Sequence, residues 1–167
     1  NTIATVLGLR SKPDVKIHLV SGPTTGPEGS LEHRVANLPG LLTIVPPLVR
    51  PVHPWQDFLA LRQLARLLRE QKPDIVHTHS GKAGILGRMA AARAKVPIII
   101  HHIHGPSFGS FQGPLANFIF TAAERYAAKF TTPDIALALR GLDLSKATAP
   151  AAAITISPPA PVHNPPE

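Results

Sequence analysis

The chain has 167 residues, enough for one domain with a sizeable core, and its 44% hydrophobic content is ordinary for a globular protein. It has no cysteine, which excludes disulfides and thiolate metal sites, and no apolar run long enough to cross a membrane as a helix. The formal charge of +7 favours anionic partners: nucleic acid, an anionic membrane surface or phosphorylated sugars.

The predicted elements alternate. Residues 1–11 read as the end of a helix, and 15–21 (VKIHLVS) as a strand. Residues 22–30 are a turn-rich loop, 31–38 a short helix and 41–45 a short strand. Residues 55–70 form a strong amphipathic helix. Trp55, Phe58, Leu59, Leu61, Leu64, Leu67 and Leu68 make its apolar side, and Arg62, Arg66 and Arg69 lie on another. A strand at 74–77, a helix at 82–94, a strand at 97–102, a glycine-rich loop at 105–114, a helix at 115–129 and a last strand at 134–139 follow. Such alternation implies parallel βαβ units, an open α/β sheet flanked by helices. From about residue 141 the composition shifts to alanine and proline, and 141–167 reads as an extended or disordered tail.

The segment PDIVHTHSGKAGILGR (73–88) carries the most chemical information. Ile75 and Val76 suit a strand, Ser80 suits a helix N-cap, and Gly81 permits a tight turn. This junction sets free N–H groups at the carboxyl edge of a sheet, where open α/β folds bind ligands and anions are favoured. His77 and His79 share one strand face, as do His102 and His104 on a strand expected nearby. Three readings of these four histidines stand side by side: polar residues at a strand end, a cleft lining, or a metal site. No carboxylate follows at ligand spacing and no H-E-x-x-H motif is present, so no metal is expected. Ser80, Gly81 and Lys82 read either as anion or hydroxyl recognition or as an N-cap beside a solvated lysine. Gly84 and Gly87 read as helix–sheet packing positions, and Glu124 and Arg125 as ordinary surface contacts. Residues 26–29 match neither phosphate-loop spacing, and no nucleic-acid motif appears, so no nucleic-acid partner is expected. No carboxylate dyad and no Ser/His/Asp order can be argued.

The run PDIVHTHSGKAGILGRMAAARAKVPIIIHHIHG (73–105) resembles the N-terminal domain of a family-4, GT-B type glycosyltransferase. SGPTTGPEGSL (21–31), PPLVRPVHPWQDFLALRQLARLLREQ (46–71) and AERYAAKFT (123–131) follow the same pattern in the same order, so the resemblance spans about residues 1–140. It implies a Rossmann-like acceptor half of a retaining hexosyltransferase, which moves a sugar from a nucleotide-sugar donor to a carbohydrate or lipid-linked acceptor. His104 occupies the place of a family histidine that contacts the donor sugar, a role suited to imidazole, with Gly105 allowing close approach. Spacing alone leaves His104 equally readable as a loop cap. His79, Ser80, Gly81 and Lys82 would line the acceptor side. No cofactor is implied.

Family members open with a strand and a glycine-rich loop and carry a second, donor-binding domain. This chain opens inside the helix that follows that loop, so about half an enzyme, inactive alone, is the expectation. The TISPPAP segment (155–161) is at best a worn version of the family's interdomain linker. The alternatives are a non-catalytic glycan-binding or assembly module and a decayed gene product. The expected location is the cytoplasm, with the arginine face leaving open a peripheral contact at the inner membrane face.

Overall fold

A computed structural model describes residues 2–23, 38–79, 81–103, 113–133 and 151–157. Their elements are α1 (Thr2–Arg10), β1 (Val15–Ser21), β2 (Leu42–Ile44), α2 (Pro54–Gln71), β3 (Ile75–His79), α3 (Gly81–Arg93), β4 (Ile98–His102), α4 (Pro114–Ala128) and β5 (Ala151–Ser157). The strands form an open, all-parallel sheet in the order β2-β1-β5-β3-β4. The α/β architecture expected from the alternating pattern is therefore present.

Strand periodicity sorts the side chains onto two faces. One face carries Val20, Val76, Ile99, Ile154 and Ile156, which pack with Leu64 and Leu68 of α2 and Leu86 and Ala90 of α3. The other carries Ile17 and Leu19, packed with Val6 of α1 and Leu41. The ends of α2 follow from local chemistry. Pro54 suits the first turn, His53 Nδ1 accepts from the Gln56 N–H (3.3 Å), and the His53 N–H donates to Asp57 Oδ2 (3.1 Å). Lys72 closes the helix in the left-handed region (φ 47°), donating its N–H to Leu68 O.

Two expectations need correction. Residues 151–157, read as part of a tail, form β5 and occupy the centre of the sheet, paired with β1 and β3. The physical reason is size and branching: Ile154 and Ile156 are buried, and Ala153 packs at the edge of the α1 core. The Asp74 carboxylate fixes the strand by accepting from the Ala152 N–H (2.9 Å). The apolar side of α2 holds as expected at Leu64 and Leu68, buried, and at Leu61 and Leu67, packed against the core, but not at its two aromatics. Ala60, Leu64, Ala65 and Leu68 are buried, whereas Trp55 (63% exposed) and Phe58 (47%) face outward and stack on each other at 5.9 Å. The small alanines let α2 approach the sheet and α3, so the aromatic pair lies off the contact stripe. The strand expected at 134–139 and all but the last residue of the helix expected at 31–38 lie outside the described residues.

Candidate functional site

The carboxyl ends of β3 and β4 and the start of α3 converge at one edge of the sheet. Gly81 makes the turn with φ +61°, a conformation that side chains disfavour. α3 can lie close because Gly84 and Gly87 have no Cβ. One added at Gly84 would come within 2.6 Å of His101 Cε1, and one at Gly87 within 2.8 Å of Thr78 Cγ2. Both glycines are packing positions, as their sequence context suggested.

The histidines divide by strand parity. His77 and His79 lie on one face of β3, and His102 stands opposite His79 in the parallel register. Their ring centroids are 4.3 Å (His77–His79), 5.7 Å (His79–His102) and 6.0 Å (His77–His102) apart. One ring nitrogen from each lies within 4.8 Å of the others. His79 is buried, His77 half-buried and His102 exposed. Three of the four histidines considered together from sequence are thus brought together. His104 lies outside the described residues, as do Gly105 and Ser80.

On the other face, His101 Nδ1 meets Thr78 Oγ1 at 2.9 Å, and that hydroxyl donates to Ile100 O (3.1 Å). Burial holds His101 below the usual imidazole pKa; the Arg88 guanidinium adds to this, and Glu124 opposes it. Arg88 is itself buried, donating Nε to Gly84 O (3.0 Å) and Nη2 to Glu124 Oε2 (2.5 Å). Glu124, read from sequence as an ordinary surface residue, is instead the counter-ion of a buried arginine.

Lys82 is engaged by the segment that leads into α2. Its ammonium donates to Asp57 Oδ1 (2.5 Å) and Pro51 O (2.6 Å), tying α3 to the entry of α2. Asp57 was not singled out from sequence; its place four residues after an N-cap histidine was the only local signal. No helix among the described residues is long and apolar enough to cross a membrane.

Comparison with known proteins gives the same outline. The family described as "Glycosyl transferase 4-like domain" matches residues 6–144. The chain is 44% identical over 93 residues to a UDP-Gal:alpha-D-GlcNAc-diphosphoundecaprenol alpha-1,3-galactosyltransferase of Escherichia coli. That alignment takes in 56% of this chain and 24% of the relative, so the chain spans about a quarter of that protein's length. No solved structure matches. With the β3–Gly81–α3 junction at the edge of a parallel sheet and the family match running through it, this chain belongs to the glycosyl transferase 4-like family.

Proposed function

We propose that the chain is the acceptor half of a retaining hexosyltransferase, which passes a sugar from a nucleotide-sugar donor to a carbohydrate or lipid-linked acceptor. The observation that carries this reading is the position of the β3–α3 junction: His79 and the Gly81 turn stand at the carboxyl edge of the sheet, within the family match. The Escherichia coli relative, named for a UDP-Gal donor and a diphosphoundecaprenol-linked GlcNAc acceptor, supports the substrate class. In this reading His79, Ser80, Gly81 and Lys82 line the acceptor side, and His104 with Gly105 borders the donor sugar. Stabilising the departing nucleotide diphosphate is the main electrostatic demand of such a transfer, and it falls to the donor-binding half of the family architecture.

A peripheral lipid contact fits the same substrate class. Trp55 and Phe58 are exposed, the Arg62 guanidinium lies 5.8 Å from the Phe58 ring, and Arg69 and Arg66, the latter paired with Glu70 at 2.7 Å, lie on the same helix.

The test is titration of the 167-residue chain, in chelator, with a short-chain diphosphate-linked GlcNAc and separately with UDP-galactose. Binding of the first without turnover of the second is the expected result. Turnover by these residues alone overturns the half-enzyme reading, and glycan binding that ignores the diphosphate favours a non-catalytic module. Absence of acceptor binding overturns the proposal.

A further inference from the structure

We propose that His77, His79 and His102 form a three-imidazole site for a divalent transition-metal ion, with zinc the best match. The proposal shares His79 with the acceptor-side reading but rests only on this chain's own geometry.

The sheet brings the three rings together. Two residues separate His77 from His79, so both project from the same face of β3. Parallel register then sets His102 opposite His79 on the adjacent strand. A tetrahedral zinc ion with bonds of about 2.0–2.1 Å holds its ligand nitrogens roughly 3.3–3.4 Å apart. The three candidate nitrogens already lie within 4.8 Å of one another. The remaining difference is within reach of side-chain torsions at half-buried His77 and exposed His102, while buried His79 supplies the fixed corner.

The donor set narrows the ion. All three candidate ligands are nitrogens, and among the described residues no carboxylate joins the cluster. Imidazole suits zinc, copper and nickel, whereas magnesium and calcium require oxygen ligands. Three protein ligands also leave the fourth position of a tetrahedral ion open, which is how catalytic rather than structural zinc is held. His102 is exposed, so water or another oxygen donor would be able to reach an ion held there.

The experiment strips the full 167-residue chain of metal and titrates it with Co2+, followed by visible absorption and equilibrium dialysis. The expected result is one Co2+ per chain with the intense visible bands of a tetrahedral ion, displaced by Zn2+. His102→Ala, an exposed position, should leave the circular dichroism spectrum intact and weaken Co2+ binding by at least about tenfold, as loss of a ligand outweighs loss of an outer-shell partner. His77→Ala should do the same. Three results would overturn the proposal: no bound Co2+, the weak spectrum of an octahedral ion, or binding indifferent to both substitutions.

Discussion

The Lys82 ammonium sits 2.5 Å from Asp57 Oδ1, joining the first turn of α3 to the first turn of α2. Their side chains are only 12% and 17% exposed, so water screens the pair poorly. The other Asp57 oxygen caps His53 N–H, so one carboxylate serves both the helix end and the inter-helix link. Asp57→Ala should lower stability by about 1–3 kcal/mol in urea unfolding, since it strands a partly buried ammonium. Lys82→Met should cost a similar amount. If Lys82→Met also weakens acceptor binding where Asp57→Ala does not, the ammonium serves the ligand as well as the fold.

Arg88 presents the sharper case, being buried with Glu124 of α4 as its counter-ion. Glu124→Ala should destabilise by about 3–5 kcal/mol, because the guanidinium would remain buried without its charge partner. The double replacement Arg88→Met with Glu124→Leu should recover most of that loss. Chemical denaturation of the three variants checks both statements, and a small effect in Glu124→Ala would mean that α4 swings away to let water in.

Gly84→Ala sets two effects against each other. Alanine is favoured over glycine in a helix interior by about 1 kcal/mol. The new methyl would lie 2.6 Å from His101 Cε1 and 3.1 Å from His79 O, and overpacking of this kind costs about 1–3 kcal/mol. The carbonyl belongs to β3 and cannot withdraw without moving the strand. Net destabilisation is expected, with shifted imidazole resonances of His79 and His101 by NMR; a stabilised variant would show that α3 has room to lift.

How much of this was legible in the sequence depends on the range of the interaction concerned. β3 and the approach of α3 follow from residues close together: β-branched Ile75 and Val76, the Gly81 turn, and glycines facing the sheet. The pairing of His77 with His79 follows from strand periodicity, but the arrival of His102 needs the register of two strands. β5 was missed because its alanines carry no periodic signal and its partners are distant, with Ala152 bonded to Asp74 across 78 residues. Arg88 was missed for a related reason, since its counter-ion lies 36 residues away on another helix.

His18 makes stability depend on pH. Its Nδ1 lies 2.9 Å from Gly40 O and its Nε2 2.8 Å from Thr43 Oγ1, and burial lowers its pKa from the ordinary 6.5. The Gly40 carbonyl works against this shift, and Lys16 adds to it. With the folded value below the unfolded one, the unfolded chain binds the proton first. This stability is therefore fully present above pH 6.5 and lost as pH falls from there through the lower folded value. Urea midpoints should decline over that window in the parent and less steeply in His18→Asn. Parallel slopes would remove His18 as a source.

The single tryptophan, Trp55, reports directly on the proposed lipid contact. Its fluorescence should shift to shorter wavelength with vesicles of anionic lipid and remain unchanged with neutral ones. Arg62→Glu combined with Arg66→Glu should abolish the shift. An unchanged spectrum with anionic vesicles would show that the aromatic pair does not enter the membrane surface.

Among the described strands, β5 alone joins the β2–β1 half of the sheet to the β3–β4 half. During synthesis it emerges after the other four described strands, so among these the edges of β1 and β3 stay open until then. Unpaired edges of this kind recruit other chains, which makes the nascent protein most prone to aggregation just before β5 leaves the ribosome. The same arrangement makes the molecule divisible: a chain ended before residue 151 and a peptide bearing the AAAITIS strand should complement each other in trans.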